Sequence, residues 1–236
     1  MIYKNDYNKM IINIYIKINI MNLLFSYYQY NNLKYTICYT NNCRFYIHII
    51  KTDCNNNEKI TFILQNPCDN ITDRLFIRSS ILDEIIKRID KKYITFINAI
   101  PIKSSNASMR NNIAITNEEY NFNKKITKME LLNNNYTILG MGQHLIEKNK
   151  KTHNIENLYI NLFEEYFIYL LELKRHYNLS YKYVNKTLGY ILYNNIKYKL
   201  PNHLSKRSFN KISNNNITYE DMFNKINTNQ LNEYVN

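Results

Sequence analysis

The first clear pattern along the chain is a strict alternation of isoleucine with polar residues. Between Ile12 and Ile20 every second residue is isoleucine, and asparagine, tyrosine or lysine stands at each position between them. A period of two is the spacing of side chains on one face of a β-strand. We therefore predict a strand over this segment.

Other apolar runs predict further strands, with asparagine pairs or tracts marking the turns between them. Asn41-Asn42 and Asn194-Asn195 suit tight hairpin turns, because asparagine tolerates the positive φ that such turns need. The predicted strands are Leu33–Tyr39, Arg44–Lys51, 59–65 and 93–100, and the predicted hairpins are 125–132 with 136–139 and the two halves of 190–200.

Apolar residues at helical spacing predict the helices. The strongest pattern covers 155–177, and another begins after Asn70 or Thr72 and continues to Ile89. Ser180 is a suitable cap for a shorter helix over 181–189, and a last short helix is predicted after Thr218.

These elements predict an α+β fold. The amino-terminal portion, residues 1–146, is antiparallel and β-rich with one packed helix, and residues 153–236 are mostly helical and basic. The charged stretch from Glu147 to Thr152 is the predicted boundary, although the two portions can also pack as one domain.

Composition changes how these patterns are weighed. Asparagine, isoleucine, lysine and tyrosine occur 42, 36, 24 and 23 times, and all four have AT-rich codons. A very AT-rich genome, such as that of an organelle, a parasite or a large DNA virus, is the simplest cause. Asparagine tracts are therefore weak indicators of special function here.

The charge of +12 is concentrated in one segment. Between Lys174 and Tyr219 there is no Asp or Glu. Tyrosines alternate with the cations of this window, and this combination is typical of surfaces that bind phosphates and stack on unpaired bases. The predicted nucleic-acid-binding residues are Lys174, Arg175, Lys182, Tyr183, Lys186, Lys197, Lys199, Lys206, Arg207 and Lys211.

The same window has the order of a helix-turn-helix with a wing. Helix 155–177, turn 178–180, helix 181–189 and hairpin 190–200 would place Lys182 and Lys186 on a recognition helix. A plain helical bundle end with a solvated basic face is the competing interpretation.

Motifs for metal or cofactor chemistry are weak. The four cysteines, at 38, 43, 54 and 68, lack the paired short spacing of a structural zinc site, so we predict reduced thiols and no metal. The chain has no Walker motif and no dinucleotide fingerprint, so no cofactor is predicted. If the protein is an enzyme, His144 with Glu164 or Glu165 is the candidate acid–base group.

The leading hypothesis from the sequence is a nucleic-acid-binding protein of an AT-rich replicon, with DNA or RNA as partner. Two alternatives stay open: a structural subunit of a virion or organellar complex whose basic face binds an acidic protein, and an enzyme acting on nucleic acid or nucleotides. The lack of an export signal and of a long apolar run predicts an intracellular protein, in the host cytoplasm, nucleus or an organelle, without membrane association.

Overall fold

The architecture is a mixed β-sheet of nine strands with two helices on one of its faces. The structure, a computed structural model, describes residues 11–18, 21–65, 86–87, 89–103, 115–141, 157–183, 190–201, 229–230 and 233–234. The helices are α1 (Asn117–Leu132) and α2 (Asn157–Tyr177). The strands are β1 (Ile11–Ile18), β2 (Met21–Tyr30), β3 (Leu33–Tyr39), β4 (Arg44–Lys51), β5 (Lys59–Leu64), β6 (Tyr93–Asn98), β7 (Tyr136–Gly140), β8 (Tyr181–Tyr183), β9 (Tyr190–Tyr193), β10 (Ile196–Lys199), β11 (Asn229–Gln230) and β12 (Glu233–Tyr234).

The large sheet joins an antiparallel half to a parallel half. Its strand order is β1-β2-β3-β4-β6-β5-β7-β8-β11. Neighbours from β1 to β6 are antiparallel, whereas β6, β5, β7 and β8 run in the same direction, and β11 is antiparallel to β8. Strands β12, β10 and β9 form a separate small sheet. The predicted α+β class is confirmed, and the parallel half is a feature that the sequence pattern did not predict.

Most strands lie where the alternation predicts them. The predicted strands from Leu33 to Tyr39 and from Arg44 to Lys51 match β3 and β4, and the segments 59–65 and 93–100 contain β5 and β6. Asn194 and Asn195 have φ of 50° and 61°, as the predicted hairpin turn requires. Strand β2 was missed because its buried positions do not alternate regularly with exposed ones.

The turn between β3 and β4 differs from the prediction. The described residues with positive φ other than glycine do not include Asn41 or Asn42. A register shift after Cys38 pairs this residue with Tyr46, and the Thr40 N–H donates to the Cys43 carbonyl at 2.8 Å. The extra residue, Phe45, lies in β4 and not in the turn, so Asn41 and Asn42 still connect the two strands, and they do so without positive φ.

Of the hairpin predicted at 125–132 and 136–139, the first strand is wrong, because residues 117–132 form α1, and the second lies in β7. The polar residues Asn123 and Thr127 occupy fully buried positions on this helix and conceal its apolar periodicity. A capping box starts the helix: the Thr116 hydroxyl accepts from the Glu119 N–H, and the Glu119 carboxylate accepts from the Thr116 N–H.

The predicted helix over 181–189 is wrong at its start, because Tyr181–Tyr183 is strand β8. Asn178 ends α2 with φ of 51°, and the Leu179 N–H donates back to the Lys174 carbonyl at 3.0 Å. The chain then pairs β8 with β7, so the helix-turn-helix arrangement is not formed there. Residues 184–189 and the predicted helix after Thr218 lie outside the described residues.

Two apolar cores cover the two faces of the large sheet. Helices α1 and α2 pack on one face, where Phe163, Tyr166 and Phe167 of α2 are fully buried. On the other face, Ile86 and Ile89 pack against β4, β5 and β6. Ile86 and Lys87 are helical, and the rest of the helix predicted after Asn70 lies outside the described residues. The division into residues 1–146 and 153–236 stays a prediction.

Among the described residues, neither helix has the length and apolar composition needed to cross a membrane.

Candidate nucleic-acid interface

The predicted binding residues lie on several different elements. Lys174 and Arg175 occupy the last turn of α2, Lys182 and Tyr183 belong to β8, and Lys197 and Lys199 to β10. The remaining predicted residues, Lys186, Lys206, Arg207 and Lys211, lie outside the described residues.

The structure brings some of these residues together and separates others. The β9–β10 hairpin contacts α2, because the Tyr193 hydroxyl donates to a Glu172 carboxylate oxygen at 3.0 Å. Tyr181 is buried under α2 and donates to the Leu170 carbonyl at 3.1 Å. Successive side chains of a strand point to opposite faces, so the exposed Lys182 lies on the face away from α2. Lys182 is therefore not on the same face as Lys174 and Arg175.

A larger group of cations lies at the edge of the sheet where the parallel strands begin. We call it the amino edge: β5, β6 and β7 begin there, and α1 and α2 end there. Its basic rim consists of Lys34, Lys51, Lys59, Lys92, Lys128, Lys174 and Arg175.

Strand register places the rim lysines side by side. Lys34 pairs with Ile50, Ile50 with Tyr93, and Tyr93 with Lys59. Next to this row, the Lys51 N–H donates to the Lys92 carbonyl at 2.9 Å. Strands β3, β4 and β5 thus contribute one lysine each to the rim, and Lys92 directly precedes β6. The Lys51 ammonium donates to the Ile86 and Ile89 carbonyls at 3.1 Å and 2.9 Å.

Tyrosine rings lie between the rim cations. The ammonium groups of Lys59 and Lys92 are 5.8 Å and 5.7 Å from the centre of the Tyr93 ring. On the helices, the Lys128 ammonium lies 4.9 Å from the centre of the Tyr177 ring. These are cation–π distances, and both rings are half-buried, with part of their surface open to solvent.

Two carboxylates at the same edge, Glu58 and Glu130, are held in local contacts, whereas Asp53 and Asp90 are exposed there. Glu58 accepts from the Lys91 ammonium and, at 2.9 Å, from the Tyr136 hydroxyl. Lys91 is buried, whereas 37% of the Glu58 side chain is exposed, so the pair lies at the surface. Hydrogen bonds from Lys91 and Tyr136 lower the pKa of Glu58 and keep it ionised. The charge of Glu58 is therefore largely matched within the protein.

Glu130, near the end of α1, is also held by contacts with neighbouring side chains. Its carboxylate lies 3.1 Å from His48 Nε2 and accepts from the Thr95 hydroxyl at 3.2 Å. Burial acts to raise the pKa of Glu130, but the contacts with His48, Thr95 and Lys59 together outweigh it and the pKa is lowered. The ring of Tyr46 stacks on His48 with centroids 4.1 Å apart and restricts the imidazole.

A cavity of about 340 Å³ opens at the opposite edge of the sheet, between the β3–β4 turn and the start of α1, and no described lysine or arginine lines it. Asn41, Asn42 and Glu118 line it, and Glu119 is fixed at its wall by the Thr40 hydroxyl at 2.7 Å. Lys103 lies at the same edge, where its ammonium donates to the Thr40 carbonyl at 2.7 Å. The described cations of this edge thus include Lys103, although none of them lines the cavity.

The other candidate chemistries gain no support from geometry. His144 lies outside the described residues, and Glu165 is bound by Lys124. Within the described ranges, no three His, Cys, Asp or Glu side chains are placed to hold a metal ion. Cys38 and Cys43 are free and fully buried, and burial raises the pKa of the Cys38 thiol to about 12.

Five residues of the rim were not predicted from the sequence as binding residues: Lys34, Lys51, Lys59, Lys92 and Lys128. They are distant in sequence, so no basic run marks them. One signal was present: each of Lys34, Lys51, Lys59 and Lys92 lies at or next to the end of a strand. Two of these strands, β3 and β4, were predicted with their observed bounds, and β5 and β6 were predicted with their observed first residues. Strand order, which the sequence did not predict, is what brings them together.

Comparison of the chain with family models, with curated proteins and with solved structures found no match.

Proposed function

We propose that this chain is a nucleic-acid-binding protein of an AT-rich replicon and that the basic rim is its principal contact surface. The observation that carries the proposal is the row of lysines at the amino edge with tyrosine rings between them. Lys174 and Arg175 belong both to this rim and to the acid-free window.

Phosphate neutralisation is the physical basis of the proposed binding. Each lysine or arginine that contacts a phosphate releases condensed counterions, so affinity falls as salt rises. The contact between Lys91 and Glu58 supports this role, because a carboxylate bound by an ammonium group repels phosphates less. Half-buried tyrosines such as Tyr93 and Tyr177 offer surfaces on which bases can stack.

The test is fluorescence anisotropy with labelled DNA and RNA, from low salt to about 0.2 M. The informative variant neutralises four rim cations and lowers the net charge from +12 to +8 (12 − 4 = 8). The four substitutions are Lys59→Gln, Lys92→Gln, Lys128→Gln and Arg175→Gln. We expect the slope of log affinity against log salt to become shallower by about 3, at roughly 0.7 per contact for a single strand.

A control variant adds charge at the opposite edge. Asn41→Lys with Asn42→Lys places two cations on exposed positions beside the cavity, and we expect affinity and slope to stay those of the parent. The proposed function would be contradicted if, for every nucleic acid tested, binding by the parent is already lost when the salt concentration is raised to about 0.1 M.

A further inference from the structure

The amino edge has the form of a row rather than a cleft or a projecting helix. Lys34 and Lys59 lie in one register row with Tyr93 between them. Three steps between neighbouring strands separate the two lysines, a distance of about 14 Å at roughly 4.8 Å per step. A line of cations of this length, with a ring inside it, matches an extended backbone carrying bases on one side.

The rings at this edge add a second kind of contact. Tyr93 has lysine ammonium groups at 5.7 Å and 5.8 Å, and Tyr177 has one at 4.9 Å. A base can stack on a ring only when it is not already stacked within a duplex. Phosphate contacts next to aromatic rings therefore favour unpaired nucleotides.

The described helices do not offer the usual means of reading a duplex. Insertion into the major groove needs a helix or a two-stranded ribbon that projects from the protein. Helices α1 and α2 lie side by side on the sheet, where the Tyr120 hydroxyl donates to the Leu162 carbonyl and the Tyr169 hydroxyl to the Lys124 carbonyl. Neither helix projects from the amino edge.

We infer that the basic rim binds single-stranded nucleic acid in preference to duplex, through phosphate contacts to its lysines and base stacking on Tyr93 and Tyr177. This inference rests on the proposed function. Single-stranded DNA and RNA both offer phosphates and unpaired bases, and the experiment distinguishes them by testing a strand of each.

The experiment compares three labelled probes at about 0.15 M salt: a deoxythymidine strand and a uridine strand of about 12 nucleotides, and a duplex of the same length. We expect both strands, or the strand with the preferred sugar, to bind at least about tenfold more tightly than the duplex. A base–aromatic stack contributes roughly a fivefold to 150-fold change in affinity. Tyr93→Leu and Tyr177→Leu should each weaken strand binding within that range.

Two readouts distinguish stacking from a general loss of structure. Because leucine removes the ring but no charge, the salt slope of each variant should stay that of the parent. The matched control is Tyr39→Leu, which removes a half-buried tyrosine at the opposite end of β3, where the Lys103 ammonium lies 5.4 Å from its ring, and should leave binding unchanged. Thermal unfolding of all three variants verifies that they are folded.

The possible outcomes separate the inference from the proposed function. Duplex binding as tight as strand binding overturns the inference while the proposed function stands, and so does a Tyr93→Leu variant indistinguishable from Tyr39→Leu. If none of the three probes binds to the parent, the proposed function itself fails.

Discussion

At the scale of single residues, buried polar groups fix the positions of the two helices on the sheet. The Asn123 amide donates to the carbonyls of Asn98 and Ala99 at 2.9 Å and 3.3 Å, and this ties α1 to the end of β6. Thr127 and Tyr166 share a hydrogen bond of 2.5 Å between α1 and α2. These contacts orient the helices, because a buried polar group is stable only with its partner in place.

Glu130 gives a residue-scale prediction about pH. Its pKa is lowered in the folded state, so the stability it contributes is present above the unfolded pKa, about 4.3, and is lost as pH falls through the lower folded pKa. His48, Thr95 and Lys59 are the groups that act on the carboxylate. We expect Glu130→Gln to lower the free energy of unfolding by about 1–2 kcal/mol at pH 7, with a smaller difference at about pH 3.

Urea unfolding at both pH values measures this effect. Glu118→Gln is the matched control, because Glu118 is exposed at the start of α1 and should change stability little. A Glu130→Gln variant whose deficit is the same at both pH values would show that ionisation of Glu130 does not contribute.

At the scale of elements, the local pattern of apolar residues predicted those strands and helices whose conformation depends on that pattern. Strands β3 and β4 and helix α2 follow directly from alternation or helical spacing. Helix α1 was missed because asparagine and threonine replace apolar residues on its buried face, yet the Thr116–Glu119 capping box was visible in the sequence. Strand β8 was missed because its three residues are too few to show a period, and pairing with β7 determines their conformation.

The capping box gives an element-scale prediction. Thr116→Ala removes the hydroxyl that accepts from the Glu119 N–H, and such a loss costs about 1 kcal/mol of stability. Asn117→Ala, at the next and exposed position, serves as the control and should be near neutral. Chemical denaturation compares the two, and equal stability of both variants would contradict the role given to the cap.

At the scale of the whole molecule, strand order determines what the sequence could not indicate. The acid-free window predicted a basic surface, and Lys174 and Arg175 of that window lie at the amino edge. Lys59 and Lys92 come from segments far apart in sequence and become neighbours only because β5 and β6 pair. A connection that returns the chain to a neighbouring strand has no signature in local composition, so the rim was not predictable from the sequence.

The same strand order places the rim and the cavity at opposite edges of the sheet. The carboxyl ends of the parallel strands lie near the cavity lined by Asn41, Asn42 and Glu118, and the amino ends carry the rim. A net charge of +12 alone would attract nucleic acid to any cationic part of the surface. The proposed function instead depends on where the cations lie.

The most direct test of the proposed function moves rim charges to the other edge and keeps the net charge at +12 (12 − 4 + 4 = 12). The variant combines Lys59→Gln, Lys92→Gln, Lys128→Gln and Arg175→Gln with Asn41→Lys, Asn42→Lys, Asn117→Lys and Asn121→Lys at exposed positions. By fluorescence anisotropy at about 0.15 M salt, we predict that affinity for a single strand falls at least about tenfold and the salt slope becomes shallower by about 3. Affinity and slope equal to those of the parent would contradict the proposal, because net charge alone would then account for binding.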